Sequence, residues 1–231
     1  MSIIALERDY PSIFAAPVIR AVDTAIFSLR YFTRCMACGF CNDQCCSYGV
    51  DIDLANMERL RSLGPSFETF AGVPHAEWFT PEIVADAEFP SGRHGRTRAV
   101  DGKCVFADRK GRGCKIHAYC LEKDLDYHLY KPMVSTLFPL TFEHGVLVPS
   151  PEVVDGSLVC SGDGPPVYEG MRDEVAHYFG GELVAKLDAL NAKLLCIERN
   201  ETLESTLPLR EGRKICAQRM IFRGGVRATD S

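Results

Sequence analysis

The sequence predicts an α+β fold that is cysteine-rich and loop-rich, with a few short strands and a helical C-terminal part. Five of the eleven cysteines fall within residues 35–46, CMACGFCNDQCC. Short apolar stretches separated by proline and glycine continue to about residue 164, a pattern typical of strands joined by loops. From Pro165 onward, apolar residues recur at helical spacing. We therefore predict a cysteine-cluster domain over 1–164 and a helical part with a basic tail over 165–231, packed on the first.

The predicted elements begin with a strand that leads into the cysteines. Residues 26–33, IFSLRYFT, alternate apolar and polar side chains, as a half-buried strand does. The stretch DIDLANMERLRSLGP predicts a short helix with Asp51 or Asp53 as its N-cap and Gly64-Pro65 as its stop. Residues 64–95 predict an irregular connection, which either wraps a site or is a plain surface excursion.

The second half of the chain carries the more regular patterns. Its predicted elements are a strand through Cys104, a glycine-rich turn at 111–113, a helix over about 115–128 ended by Pro132, a β-hairpin turning at 143–145, a linker at 161–166, and two helices separated by Gly180-Gly181. Asp124, Asp126 and His128 are interpreted as a charged helix face. No catalytic residue is predicted.

The composition and the N-terminus predict a cytoplasmic protein with no membrane partner. A chain of 231 residues that is 46% hydrophobic can bury a core without disulfides. Glu7, Arg8, Asp9, Pro11 and Arg20 interrupt the apolar stretches of a would-be signal peptide. No segment approaches the roughly 18 apolar residues of a membrane span. In a reducing compartment, clustered cysteines bind metal more often than they form disulfides.

The cysteine spacing predicts a metal centre. Cys35, Cys38, Cys41 and Cys45 are spaced C-x2-C-x2-C-x3-C, the spacing with which bacterial ferredoxins ligate [4Fe–4S] clusters. In ferredoxins the first three thiolates bind one cluster and the fourth serves elsewhere, so a ligand must arrive from a distant segment. Zinc accepts the same thiolates, so the ligand types do not choose the metal. The predicted ligands are Cys35, Cys38, Cys41, Cys45, Cys46, Cys104, Cys114, Cys120 and Cys160.

Four pieces of the chain, in order, resemble the YkgJ-type cysteine-cluster family, whose members are described as zinc- or iron-chelating domains. The pieces are CMACGFCNDQCC, GCKIH, KPMVSTLFPL and VCSGDG, within residues 35–164. They correspond to the family's CxxCGxCC run, its GC-x-I-Y/H segment, its RPxxC-x-x-FP segment and its late cysteine before a glycine. The resemblance implies metal binding. The family is also similar to the cysteine-cluster region of flagellin lysine methylases, which implies an iron–sulfur centre.

The chain departs from the family pattern at two places. Asn42 stands where the family has a cysteine, and the Cys45-Cys46 pair begins three residues later. Lys131-Pro132 corresponds to the family's RP, and Ser135 stands where its cysteine would be. The resemblance therefore implies a rebuilt ligand shell, with Cys120 or Cys45 replacing the missing thiolate.

We favour a [4Fe–4S] cluster over zinc as the cofactor, because five neighbouring thiols exceed what one zinc ion needs. The fold is then metal-centred, and the function is metal binding with an unspecified reaction. One alternative is a structural zinc-binding interaction module without catalysis. A second is an iron–sulfur-dependent modification enzyme similar to a protein methylase. Thiol–disulfide redox chemistry, a third alternative, would need only one C-x-x-C pair. His117 is interpreted as a packed histidine rather than a ligand.

The charge distribution sets the remaining expectation about partners. The chain has a net charge of −5, whereas the segment from Pro208 to the end carries six Arg or Lys against two acidic residues. The basic tail predicts an acidic protein partner, or a solvated end that packs on its own body. The acidic body argues against nucleic-acid binding.

Overall fold

The N-terminal segment and a hairpin from the middle of the chain form a four-stranded sheet. The computed structural model describes residues 2–32 and 40–206, with side chains as far as residue 197. Strand β1 (Ile3–Pro11) pairs antiparallel with β2 (Val18–Asp23). The predicted hairpin is confirmed as the antiparallel pair β9 (Leu140–Glu143) and β10 (Val146–Pro149). Because β10 pairs parallel with β2, the strand order is β1-β2-β10-β9.

Three smaller sheets are made of short strands. They are β3 (Arg30–Tyr31) with β11 (Ser161–Pro166); β4 (Asp51–Asp53), β6 (Arg93–Arg96) and β5 (Val84–Ala85); and β7 (Ala99–Val100) with β8 (Lys103–Cys104). The predicted strand through Cys104 is confirmed. The predicted strand over 26–33 is confirmed only in β3, because the chain forms a 3-10 helix at Thr24–Phe27 before it.

Two helices follow the cysteine-rich stretch. Helix α1 (Leu54–Ser62) is capped by Asp53, whose side chain accepts the backbone N–H of Ala55 at 2.8 Å, as predicted. The predicted stop at Gly64-Pro65 is confirmed, since α1 ends at Ser62, but a second helix, α2 (Gly64–Ala71), begins directly after it. Gly64 adopts a positive φ of 66° and redirects the chain. Pro65 then fits the first turn of α2, where its missing N–H costs nothing.

The remaining helices of the described residues follow strand β8 along the chain. They are α3 (Lys115–Glu122), α4 (Tyr127–Tyr130), α5 (Met133–Leu137), α6 (Pro151–Val154) and α7 (Val167–Thr206). The single predicted helix over 115–128 is wrong, because Asp124 adopts a positive φ of 53° between α3 and α4. The predicted break at Gly180-Gly181 is confirmed, since Gly180 is non-helical within α7.

An aromatic cluster forms much of the core beside the cysteine-bearing elements. The ring of Phe67 lies 5.2 Å from Trp78, 5.9 Å from Phe106 and 5.1 Å from Tyr119, measured between centroids. All four side chains are buried. By its contacts, the chain divides into the compact units Met1–Val184 and Ala185–Ser231. The fold is α+β with a helical C-terminal part, as predicted.

Two segments differ from the irregular structure expected of them. The segment predicted as a linker, SGDGPP, is strand β11 and pairs with β3. The predicted irregular connection over 64–95 contains α2, β5 and part of β6. Among the described residues, every helix is too short or too polar to cross a membrane.

Candidate metal centre

Cysteines from three separate segments line one large cavity. Cys45 and Cys46 lie on a 3-10 turn, Gln44–Cys46, while Cys104 ends β8 and Cys114 is the N-cap of α3. The cavity that all four line has a volume of about 570 Å³. This volume falls in the range of pockets that bind small molecules, about 300–1,000 Å³. The fold therefore brings together thiols that are up to 69 positions apart in the sequence.

A second, much smaller cavity adjoins the same turn. Its volume is about 10 Å³, and Cys41, Cys45 and Cys160 are among the residues that line it. Cys41 and Cys160 are buried. Because Cys45 lines both cavities, the turn that carries it separates two groups of thiols. The seven cysteines of the described residues at 41, 45, 46, 104, 114, 120 and 160 are thiols rather than disulfides.

A buried ion pair holds the first thiol segment against the loop that precedes Cys114. Asp43 has a positive φ of 54°, and its side chain is only 4% exposed. The Arg112 guanidinium lies 3.3 Å from the Asp43 carboxylate and donates to Cys41 Sγ at 2.9 Å. The backbone N–H of Gly113 also donates to Asp43, at 3.2 Å. These contacts fix the distance between residues 41–46 and Cys114.

The sulfur positions are more widely spaced than the ligands of one zinc ion. Sulfurs bound to tetrahedral zinc at about 2.3 Å lie about 3.8 Å from one another. Cys45 Sγ and Cys46 Sγ approach this spacing, at 4.0 Å. In the part of the chain that the structure describes, however, no group of three thiols lies within 4.8 Å. As placed, no three thiols of the described residues are therefore close enough to bind one zinc ion.

Burial favours the protonated form of two of the thiols that line this cavity, Cys114 and Cys104. It raises the pKa of the Cys114 thiol to about 11, although the charge of Lys131 partly opposes the increase. Burial also raises the pKa of Cys104, whose Sγ–H donates to Thr97 Oγ1 at 3.4 Å. Nearby Cys46 adds to both increases. Because metals bind thiolates, a metal would have to displace these protons.

The remaining wall of the large cavity combines apolar and polar side chains. Lys131, Pro132 and Ser135, which come from the stretch KPMVSTLFPL, all line it. Ser150 Oγ is buried there and makes no hydrogen bond to any described residue. Glu174 reaches the same wall from α7. The cavity is thus lined by apolar side chains together with polar groups that can orient a ligand.

Of the other predicted ligands, one does not line the cavity and two lie outside the described residues. Cys120 is 0% exposed, belongs to the same apolar core cluster as Ile116 and Phe67, and does not line the cavity. Cys35 and Cys38 lie outside the described residues, as does the basic tail. His117, interpreted as a packed histidine, lines the cavity and lies 4.3 Å from the Tyr127 ring, centroid to centroid.

Sequence reasoning missed a cluster of titratable groups behind Glu174. His128 Nδ1 lies 2.7 Å from Asp126 Oδ1, and His128 Nε2 lies 2.8 Å from Glu174 Oε2. The Tyr127 hydroxyl donates to the other oxygen of Glu174 at 2.8 Å. The ring of His177 stacks on His128 with centroids 3.5 Å apart. In the sequence, only the spacing within each pair was visible: Asp126 and His128 are two residues apart, and Glu174 and His177 are three residues apart. These spacings fit a charged helix face equally well.

Protonation states within this cluster follow from burial and from its charges. Burial, followed by the charge of His128, lowers the pKa of His177. Burial and the hydrogen bond to Glu174 raise the pKa of Tyr127 well above its usual range. Hydrogen bonds from His128 outweigh the desolvation of Asp126 and lower the pKa of that carboxyl. At neutral pH, His177 is therefore neutral and Asp126 is ionised.

No protein-family model, curated protein or solved structure matches the chain.

Proposed function

We propose that the protein binds an iron–sulfur cluster of the [4Fe–4S] type through its clustered thiolates. The observation that carries this proposal is the convergence of Cys45, Cys46, Cys104 and Cys114 on one cavity. Cysteines without a common role would have no reason to meet around one cavity from three segments. The resemblance to the YkgJ-type family supports the same conclusion, because the residues aligned with its RPxxC segment line this cavity as well.

The geometry favours a cluster over a single zinc ion. A cluster distributes its thiolates over several iron atoms, so its ligands need not converge on one point. No three thiols of the described residues lie within 4.8 Å of one another, and the cavity volume of about 570 Å³ far exceeds the space of one ion. Cys45 and Cys46, with Cys104 and Cys114, are the ligands that we assign from the described residues. Cys35, Cys38, Cys41 and Cys160 stay candidates.

The cavity also supports the enzymatic alternative over a purely structural module. When bound, an iron–sulfur cluster supplies electron transfer or a Lewis-acidic iron site. This chain would contribute Lys131 and Glu174, with Ser135 and Ser150, to bind and orient a small ligand beside the thiols. A metal that only staples a fold needs no such space. The second candidate function is an iron–sulfur-dependent enzyme that modifies proteins, similar to a protein methylase.

Metal analysis of the anaerobically purified chain tests the proposal. We expect iron and acid-labile sulfide in equal amounts, and we expect Cys114→Ala and Cys46→Ala to lose most of both. Cys120→Ala is the matched control, since it removes a buried thiol outside the cavity lining. One bound zinc without sulfide would support the structural zinc module instead. Full iron content in Cys114→Ala would overturn the ligand assignment.

A further inference from the structure

The histidine–carboxylate cluster behind Glu174 has the composition of a second metal site. Asp126, His128 and His177 each offer one ligand atom, and these three atoms lie within 4.8 Å of one another. They come from two distant elements, the start of α4 and the middle of α7. Two imidazoles and one carboxylate form the facial triad that binds divalent iron and related ions with open positions.

The two carboxylate contacts of His128 require a positive charge that a neutral imidazole does not carry. A neutral imidazole has one N–H, yet both nitrogens of His128 face carboxylate oxygens within 2.8 Å. If Nε2 donates to Glu174, the lone pair of Nδ1 faces Asp126, and the contact needs a proton or a metal ion. Glu174 would then be the outer carboxylate that orients a ligating histidine, and the Tyr127 hydroxyl would fix Glu174 in turn.

The third ligand has an unused nitrogen. His177 Nε2 is buried and makes no hydrogen bond to any residue that the structure describes. A buried imidazole nitrogen without a partner is costly, and a metal bond would satisfy it. To bind, the ring must turn out of its stack on His128, a rotation about a torsion whose energy varies little. Asp126, whose side chain is 47% exposed, leaves the open positions accessible to solvent.

We propose that Asp126, His128 and His177 bind one divalent transition-metal ion, with Glu174 as the supporting carboxylate. An ion about 2.0–2.2 Å from each ligand requires separations of about 3.3 Å in a tetrahedral site. The most distant pair of ligand atoms must therefore close by at most about 1.5 Å from the present limit of 4.8 Å, whereas Asp126 Oδ1 and His128 Nδ1, now 2.7 Å apart, must move apart by about 0.6 Å. The site shares no ligand with the thiol centre, so it does not depend on the proposed iron–sulfur cluster. Its outer carboxylate, Glu174, also lines the large cavity.

Mn²⁺ is a suitable probe, because it favours oxygen ligands such as the Asp126 carboxylate over the soft thiolates of the other site. Loss of the electron paramagnetic resonance signal of hydrated Mn²⁺, measured with the full chain, reports binding. We expect one Mn²⁺ per chain, and we expect Glu174→Gln to weaken its binding by about 10- to 100-fold. Asp126→Asn and His177→Gln should weaken it at least as much. His75→Ala, which removes an exposed histidine elsewhere, and Cys114→Ala should leave it unchanged.

The outcomes separate this proposal from the thiol centre. No Mn²⁺ uptake at millimolar concentration would overturn it, as would uptake that survives both Asp126→Asn and His177→Gln. Loss of Mn²⁺ binding in Cys114→Ala would also overturn it by placing the ion at the thiols. Asp126 is on the surface, so Asp126→Asn tests the site in a folded chain even if His177→Gln unfolds. The amide oxygen introduced by Asp126→Asn can still accept the backbone N–H of His128, which the Asp126 carboxylate accepts at 3.0 Å.

Discussion

The buried ion pair between Asp43 and Arg112 allows a sharp test of what holds the thiol segment in place. Arg112→Leu removes the guanidinium and puts an apolar side chain in its place. The Asp43 carboxylate, whose side chain is 4% exposed, then keeps the Gly113 N–H as its donor. Asp43→Asn removes the charge from the other side. Asparagine is the residue of choice because it tolerates the positive φ of 54° found there.

The expected energies follow from the cost of stranding a buried charge. Removing one partner of a buried pair costs about 3–5 kcal/mol, and the lower value applies because the Arg112 side chain is 25% exposed. Asp43→Asn should cost about 1 kcal/mol, since the amide oxygen still accepts from Gly113. The double variant strands no charge and should cost about 2 kcal/mol. The sum of the single effects would be about 4 kcal/mol, so the coupling energy is about 2 kcal/mol.

Equilibrium urea unfolding, followed by circular dichroism, measures all four free energies of unfolding. Arg109→Leu is the matched control in the same loop, because its pair with Asp101, at 3.9 Å, and its hydrogen bond to the Val100 carbonyl, at 2.6 Å, are both exposed. It should cost less than about 1 kcal/mol. A double variant whose cost equals the sum of the two single costs would refute the argument, since the two residues would then act independently.

Two further predictions concern the thiols and the metal. Burial raises the pKa of Cys120 from 9.0 to about 11, so the unfolded chain loses this proton first as the pH rises. Wild type should therefore lose up to about 2.7 kcal/mol more stability than Cys120→Ala between pH 9 and 11, measured by urea unfolding; parallel pH profiles would contradict this. Removing the metal should loosen residues 35–120 while the helices after Pro165 persist, because thiolate–metal binding energy is often folding energy. Hydrogen exchange should show this loss, and unchanged protection around the cysteines would count against it.

Elements with both ends marked in the sequence were predictable, and pairings between distant segments were not. Asp53 marked the start of α1, and Gly180 marked the break in α7. Strand β11 was missed because its glycines resemble those of a linker. Gly164 is needed there for close packing, since a Cβ would lie 2.6 Å from the Tyr31 carbonyl oxygen of β3. Glycine allows this backbone approach, which no local pattern reveals.

The thiol site was predictable as a set of residues but not as a geometry. Spacing identified Cys45, Cys46, Cys104 and Cys114 as candidates, and the structure places them around one cavity. Cys120 shared the three-residue spacing of Cys114, but six residues turn a helix through about 600°. The two side chains therefore lie about 120° apart around α3, which puts Cys120 in the core. The cluster of His128 and His177 was invisible because its two halves meet only in the tertiary structure.

The parallel pairing of β2 with β10 has a consequence for the order of events during synthesis. These strands are separated by more than 120 residues, so the central sheet cannot close until most of the chain has left the ribosome. Contacts of such long range slow folding, because the entropy of closing the loop is lost before the contacts form. The thiols at 41–46 emerge well before Cys104, Cys114 and Cys160. Until those segments arrive, the early thiols have no enclosed site, and the yield of folded protein depends on their staying reduced in the meantime.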